Sequence, residues 1–315
     1  MRQITSFLLA GLWVFALPIH ARLPINTELI KKSVVFIYSA QNRRDPGSNR
    51  VLGTGFIVGL PLKSDPTKVN FAVVTARHVL DPEWDGCNRT NPDAVYLRVN
   101  KRNYDADSDP SGVEFLLLRL TIDGRQTWFA HTDERVDVAV IAVNAKKLSE
   151  YDTSFIRLRD FGTEEEIQKH GIGVGDGTVS AGVVQALANV NRNYPAFKFG
   201  KISSVLEEPV QTRCCPSSEC PVKLRLLWFV DANFIPGNSG SPVFLLPIEI
   251  SLGAGLEYTG PRPMLLGVLA SIIAPADLGG MVPVEYIFEV IENNLTDVDL
   301  YRGRKKDKSE PESGK

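Results

Sequence analysis

Three short segments carry side chains that could perform chemistry together. They place His78 in VVTARHVL, Asp137 in VDVAVIAV and Ser239 in PGNSGSPVF. A serine hydroxyl is a poor nucleophile at neutral pH, and imidazole has a suitable pKa to accept its proton. A carboxylate on the other ring nitrogen fixes the tautomer and stabilises the imidazolium that forms. Together the three residue types predict nucleophilic attack on a carbonyl carbon.

The surroundings of these residues support that chemistry. Asp137 lies within the apolar run 136–143, where an unpaired carboxylate would be costly, so we expect it to have a partner. Attack on a carbonyl creates an oxyanion, and a tight glycine turn lets backbone N–H groups approach it. In GNSG we expect the N–H groups of Gly237 and Ser239 to converge on that oxygen. Taken singly, GNSG could be a turn, His78 a core histidine and Asp137 a turn cap.

Many short apolar segments must position these side chains. They are rich in valine, isoleucine, leucine and phenylalanine and are bounded by glycine, proline, asparagine and aspartate. Such segments predict β-strands, and their number predicts a barrel or sandwich. The segments are 33–40, 55–58, 71–75, 94–99, 115–122, 136–143, 178–187, 224–230, 242–246 and 263–273. Near the end, apolar residues at helical spacing after Pro283 predict one amphipathic helix.

The motifs resemble a known family. GTGF at 53–56, VVTARHV, DVAVIAV and GNSGSPVF are similar to the trypsin-like (chymotrypsin-fold) serine proteases, in a form closest to the bacterial HtrA/Deg-type peptidases without a PDZ domain. The resemblance covers about 33–295. It implies an all-β chain of two six-stranded antiparallel β-barrels with a C-terminal helix and a cleft between the barrels. It also implies His78 as general base, Asp137 as its orienter and Ser239 as nucleophile.

The resemblance extends to substrate specificity and shows departures. It places the primary specificity pocket at Asn233, Ala270 and Ser271, and the neutral Asn233 suggests a small or apolar substrate side chain. Ser241 stands where the family usually has glycine. Asn238 stands where digestive-type members have an aspartate that pairs with a newly cut N-terminus, which an amide cannot do. The interval from His78 to Asp137 is also longer than usual.

The remaining histidines and the cysteines are assigned other roles. His131 and His170 lie beside charged residues and are expected at the surface. Four cysteines in an exported chain suggest disulfides; adjacent cysteines fit one badly, so Cys220 would pair with Cys214 or Cys215, and Cys87 with the other. Their spacing is not that of a usual zinc site. The glycines at 171, 173, 175 and 177 do not follow dinucleotide-loop spacing. We therefore expect neither metal nor cofactor.

Composition and the chain ends indicate an exported globular protein. Of 315 residues, 43% are hydrophobic and 23% charged, which argues against disorder and a polytopic membrane protein. The net charge of −2 gives no support for nucleic acid as a partner. The apolar run 7–17, with Arg2 before it and Ala21 after it, predicts a signal peptide at 1–21. The alternative is an uncleaved anchor. The protease domain is predicted at 22–300, followed by a charged disordered tail at 301–315.

These observations favour a secreted or periplasmic serine endopeptidase that acts on protein or peptide substrates without stable membrane insertion after signal removal. One alternative is a catalytically silent binding module that keeps the protease fold. Another is an esterase that uses the same three residues, since Gly237 satisfies part of the G-x-S-x-G spacing. In that fold, however, the aspartate and histidine follow the serine, whereas here both precede it.

Overall fold

The structure is a computed structural model that describes residues 25–86, 89–105, 107, 111–188, 191–214, 220–252, 255–259, 261–273 and 276–298. The predicted leader at 1–21 and tail at 301–315 lie outside these residues, as do Cys87 and Cys215. No helix in the described ranges has the length and apolar character needed to cross a bilayer.

Short β-strands dominate the described chain, as the apolar segments predict. The strands are β1 (Val34–Ser39), β2 (Val51–Pro61), β3 (Val69–Thr75), β4 (Ala94–Asn100), β5 (Val113–Arg119), β6 (Thr121–Ile122), β7 (Arg125–Gln126), β8 (Trp128–Ala130), β9 (Ala139–Val143), β10 (Ile156–Arg157), β11 (Gly177–Gly182), β12 (Ala196–Val205), β13 (Val210–Thr212), β14 (Lys223–Arg225), β15 (Trp228–Asp231), β16 (Pro242–Leu245), β17 (Ile248–Leu252), β18 (Gly255–Thr259), β19 (Leu265–Ile273) and β20 (Leu278–Pro283). The helices are α1 (Thr27–Ser33), α2 (Arg77–Leu80), α3 (Ala145–Leu148), α4 (Glu164–His170) and α5 (Val284–Asn294).

The strands form two main units. The first is a sheet in the order β5-β4-β1-β2-β3-β9-β8, with the short β10 pairing parallel to β2. The second is a closed barrel in the order β11-β12-β15-β20-β19-β16. This architecture confirms the predicted all-β, chymotrypsin-like fold with two barrel units.

The first unit differs from the prediction of two six-stranded barrels. It is an eight-stranded sheet with the form of a half-barrel, and in the described residues its edge strands β5 and β8 do not close on each other. The reason lies in the long interval between His78 and Asp137. That interval contributes the β4–β5 hairpin, which pairs through β4 with β1 and extends the sheet beyond it.

The C-terminal helix packs across both units. α5 contacts β8 and β9 of the first sheet and β19 and β20 of the barrel. Its buried face consists of Val284, Ile287, Phe288, Val290 and Ile291. Pro283 lies directly before the first turn of α5, where the N–H that proline lacks is not needed for a helical hydrogen bond. The buried face and this start confirm the predicted amphipathic helix.

A second connection reaches from the barrel back to the first sheet. The segment after β11 returns over β1 and β4, where the Tyr38 hydroxyl donates to the Ala188 carbonyl at 2.9 Å. The Asn193 N–H donates to Asn100 Oδ1 at 2.7 Å, and Arg98 Nη1 donates to Asn193 Oδ1 at 2.7 Å. Because Asn193 and Arg98 are buried, these bonds satisfy polar groups that would otherwise be costly.

Candidate active site

His78 and Asp137 are joined by two hydrogen bonds. His78 lies in the single-turn helix α2 directly after β3, and Asp137 lies just before β9, which pairs with β3. The His78 backbone N–H donates to Asp137 Oδ1 at 3.0 Å, and His78 Nδ1 lies 2.7 Å from Asp137 Oδ2. A carboxylate on Nδ1 holds the proton there, so Nε2 is left as an acceptor.

Burial and charge act in opposite directions on this pair. Burial lowers the pKa of His78, but the charge and hydrogen bond of Asp137 outweigh it, so the pKa lies above its ordinary value of 6.5. Burial raises the pKa of Asp137, but the His78 charge and hydrogen bonds hold it below the ordinary 3.8. The pair therefore favours a charged carboxylate and stabilises an imidazolium.

Ser239 lies in two consecutive turns at residues 235–241, here called the serine turn. The Asn238 N–H donates to the Ile235 carbonyl at 3.1 Å, and the Ser241 N–H donates to the Asn238 carbonyl at 2.9 Å. Each turn has glycine at its third position. Gly237 has φ +98° and Gly240 has φ +87°, conformations in which a residue with a side chain would be strained.

The backbone N–H groups of the serine turn fall into two sets, those bonded within the protein and those left without a protein partner among the described residues. Those of Asn238, Gly240 and Ser241 all donate to protein carbonyls. Among the described residues, those of Gly237 and Ser239 have no partner. These are the two donors that the sequence assigned to the oxyanion.

The serine turn is bonded to both units. On one side the Thr54 N–H of β2 donates to the Ser239 carbonyl at 2.8 Å. The Thr54 hydroxyl donates to the Gly237 carbonyl at 2.8 Å and accepts from the Val183 N–H at 3.0 Å. On the other side the Gly240 N–H donates to the Leu269 carbonyl of β19 at 2.7 Å. Sequence reasoning noted GTGF but did not single out Thr54.

His78, Asp137, Gly237 and Ser239 all line one cleft of about 1180 Å³. Gly53 shows how closely the chain packs there: a Cβ on it would lie 2.8 Å from Val79 and 2.9 Å from the Ser239 carbonyl. In the part of the chain described, Ser239 Oγ makes no hydrogen bond with His78. In ligand-free enzymes such bonds are often long and tighten when substrate binds.

The predicted specificity residues are only partly brought together. Ala270 and Ser271 line the cleft, whereas Asn233 is exposed, with φ +47°, and is absent from its lining. The adjacent Phe234 lines the cleft instead and packs where a Cβ on Gly279 would lie. Sequence reasoning missed Phe234 because the family resemblance placed the pocket at Asn233, which precedes Phe234 in the chain.

Two further predictions are corrected. His131 is buried rather than at the surface: its Nε2 lies 2.7 Å from Glu289 Oε2 of α5, and its Nδ1 accepts from the Asp133 N–H at 3.0 Å. Cys214 carries a free thiol, and its Sγ lies 3.7 Å from that of Cys220. The prediction that all four cysteines form disulfides is therefore wrong, because Cys214 forms none. Within the described ranges, no three His, Cys, Asp or Glu side chains are grouped as a metal site requires.

Comparisons with known proteins bear on this arrangement. A family model described as trypsin-like peptidase domain matches residues 53–246. Among solved structures, the MamO protease domain from Magnetospirillum magneticum has a TM-score of 0.47 and 13% identity, covering 84% of this chain and 98% of that one. The Rv3671c protease from M. tuberculosis, active form, has a TM-score of 0.41 and 17% identity, covering 84% and 81%. No curated protein matches. Because both TM-scores are below 0.5, the family assignment rests on the sequence match at residues 53–246.

Proposed function

Because this chain belongs to the trypsin-like peptidase domain family, we propose that it is a serine endopeptidase in which His78 is the general base, Asp137 orients it and Ser239 is the nucleophile. The observation that carries the proposal is the geometry around these residues. Asp137 holds His78 Nδ1 at 2.7 Å, and the two unpartnered N–H groups of the serine turn lie in the same cleft as the imidazole.

The proposed reaction passes through an acyl-enzyme. Ser239 Oγ attacks the carbonyl carbon of a peptide bond while His78 Nε2 accepts the hydroxyl proton. The N–H groups of Gly237 and Ser239 donate to the oxyanion of the tetrahedral intermediate. The carbon–nitrogen bond then breaks, and His78 gives its proton to the departing amine. Water, deprotonated by His78, attacks the acyl carbon; the ester bond to Ser239 Oγ then breaks, and His78 returns the proton to that oxygen as the acid is released.

Labelling with a fluorophosphonate probe tests the nucleophile. We expect the wild type to label and Ser239→Ala not to label, because the probe phosphonylates an activated serine. Peptide turnover in Ser239→Ala should fall by up to about 10⁶-fold, as for other triads.

Ser241→Ala is the matched control for this test. Ser241 lies two positions away, and its Oγ is buried without a partner, so its loss should leave labelling intact. If the folded wild type does not label, the chain is better explained as a binding module. If labelling survives in Ser239→Ala, another residue is the nucleophile. Parallel assays with peptide and ester substrates separate a protease from an esterase.

We also propose that the protein is exported and that residues 1–21 are removed as a signal peptide. The support is the apolar run 7–17, which is shorter than the ~20 residues needed to span a bilayer and is followed by Pro18. N-terminal sequencing of the protein from the medium or periplasm should give a start near Arg22. A start at residue 1 or 2 in a membrane fraction would instead support an uncleaved anchor.

A further inference from the structure

We propose that the buried ion pair between Arg225 and Asp85 is a positioning device for the candidate active site, joining the segments that carry His78 and Asp137 and balancing the charge around them. This inference rests on the proposed function, in which His78 is the base. Neither Arg225 nor Asp85 belongs to any motif that marks the family.

Arg225 connects the segments that hold the two residues. It ends β14 and is 3% exposed. Its Nη2 donates to Asp85 Oδ1 at 2.6 Å, and Asp85 lies in the loop that follows the His78 helix. Its Nη1 donates to the Glu134 carbonyl at 3.2 Å, and Glu134 lies just before Asp137. One guanidinium therefore fixes the distance between the two loops.

An indole ring holds this guanidinium in place. Arg225 Cζ lies 3.9 Å from the centre of the Trp84 ring, and Arg77 Cζ lies 4.4 Å from the same centre. Trp84 Nε1 and the Arg77 guanidinium both donate to the Glu134 carboxylate, and Arg77 also pairs with Asp81. Arg77 is the chain neighbour of His78, so the ring supports the helix that carries the imidazole.

The ion pair acts on His78 with two opposite charges. Among the described residues, the charges of Asp137, Asp85 and Arg225 act on the pKa of the imidazole. Beyond burial and the larger effect of Asp137, Asp85 raises the pKa of His78 and Arg225 lowers it. Arg225 also helps to lower the pKa of Asp137. Both members of the pair line the cleft, so their charges act where the reaction takes place.

A contribution to the free energy of folding alone does not explain why the Arg225–Asp85 ion pair is buried here. Removing two charges from water costs several kcal/mol per ion, and their attraction often does no more than offset that cost. The placement of the pair between His78 and the loop before Asp137 points to a role in the site. A purely structural ion pair would alter activity through misfolding, whereas a positioning pair alters the proton equilibrium of His78.

The test is an NMR titration of the His78 imidazole in the full chain carrying Ser239→Ala, which prevents self-cleavage. Asp85→Asn removes a negative charge and should lower the pKa of His78, whereas Arg225→Gln removes a positive charge and should raise it, each by on the order of 0.5. Arg225→Lys keeps the charge and should leave the pKa close to its original value. In the active chain, the acid limb of the kcat/KM profile should move in the same directions.

Arg192→Gln is the matched control. It breaks a partly buried ion pair with Asp152 at 3.0 Å whose residues do not line the cleft, so the titration of His78 should not change. Shifts in the same direction, or no shift, in folded Asp85→Asn and Arg225→Gln would overturn the inference. Asp85→Asn nearly preserves shape, so the test stands if Arg225→Gln does not fold. Opposite shifts of the His78 pKa, together with a folded wild type that the probe does not label, would support the positioning role and contradict the proposed protease.

Discussion

Asn238 fixes the serine turn without any ionic contact. Its side chain is 2% exposed; Oδ1 accepts from the Ile235 N–H at 3.0 Å and Nδ2 donates to the Val183 carbonyl at 2.8 Å. A buried amide with both groups satisfied needs no charged partner. We infer that the turn is ordered without the new N-terminus that an aspartate at this position would require.

Asn238→Asp should therefore destabilise the fold. The change replaces the N–H₂ that faces the Val183 carbonyl with an oxygen, which leaves two acceptors opposed in a buried site. We expect the free energy of unfolding to fall by about 1–3 kcal/mol in urea titrations. Asn233→Asp is the control, because Asn233 is exposed, and its effect should stay within about 0.5 kcal/mol. Equal stability of the two variants would show that the Val183 contact is unimportant.

Gly182 accommodates the unusual Ser241. A Cβ on Gly182 would lie 2.0 Å from Ser241 Oγ, and Ser241 is fully buried. Gly182→Ala should destabilise the fold by about 1–3 kcal/mol through overpacking. In Gly182→Ala/Ser241→Gly the clash disappears, so a double-mutant cycle in urea should show a coupling above about 0.5 kcal/mol. Strictly additive effects would refute a direct contact between the two positions.

The residue scale also shows what the sequence could indicate. The types and order of His78, Asp137 and Ser239 indicated one site, the family resemblance implied a cleft, and the structure places all three residues in one cleft. Asp85 and Arg225 gave no such signal. They are far apart in the chain, and only the tertiary fold places the guanidinium between the two loops.

Strand β2 is the element that joins the first sheet to the serine turn. Thr54 donates to the serine turn from its N–H and its hydroxyl, and its carbonyl accepts from the Thr75 hydroxyl of β3 at 2.7 Å. The bonds come from one strand position, so a single side chain serves two segments of the second unit.

Thr54→Val should separate these functions. Valine keeps the shape of threonine but leaves the buried Val183 N–H without its acceptor and the Gly237 carbonyl without its donor. We expect a loss of about 1–3 kcal/mol in the free energy of unfolding and slower probe labelling. Thr54→Ser keeps the hydroxyl and should retain most of the labelling rate. Labelling by Thr54→Val at the wild-type rate would count against a role of this hydroxyl in the turn.

Elements were predicted best where hydrophobic pattern decided them. β1, β3, β4, β16 and α5 lie close to their predicted bounds. β12 was missed because its alternating Phe-Lys-Phe-Gly-Lys sequence has weak apolar character, and Gly200 is needed there to avoid the Asp231 carbonyl. α4 was missed although Thr163 and Glu166 form a capping box, a signal that the sequence displays. The sequence could not predict that the first sheet does not close into a barrel, because closure depends on which edge strand the β4–β5 hairpin pairs with.

At the scale of the whole molecule, ionisable groups restrict stability to a range of pH. Hydrogen bonds from Arg135 lower the pKa of Asp133 to about 2. Burial raises the pKa of Asp137, but His78 lowers it more, to below 3.8. Such carboxylates contribute stability above about pH 4, which is lost as the pH falls through their depressed values. The raised pKa of His78 contributes stability below its ordinary 6.5, which is lost as the pH rises through the folded value.

We therefore expect the free energy of unfolding to be largest between about pH 4 and 6.5 and to fall on both sides. Urea titrations from pH 2 to 9 measure this curve. Asp137→Asn removes both linked contributions, so it should lower the maximum and flatten both slopes around it. A wild-type curve that rises steadily from pH 6 to 9 would contradict the assignment for His78.

The bonds from Ser239 to β2 and from Gly240 to β19 have a consequence for the newly made chain. The nucleophile segment takes its shape only when both halves of the molecule have folded and met. In a folding intermediate with only one folded half, we expect the serine turn to be unformed and the N–H groups of Gly237 and Ser239 not to converge. For the proposed endopeptidase, we therefore expect cleavage activity to arise only at the final folding step, so that a partly folded molecule does not itself cut.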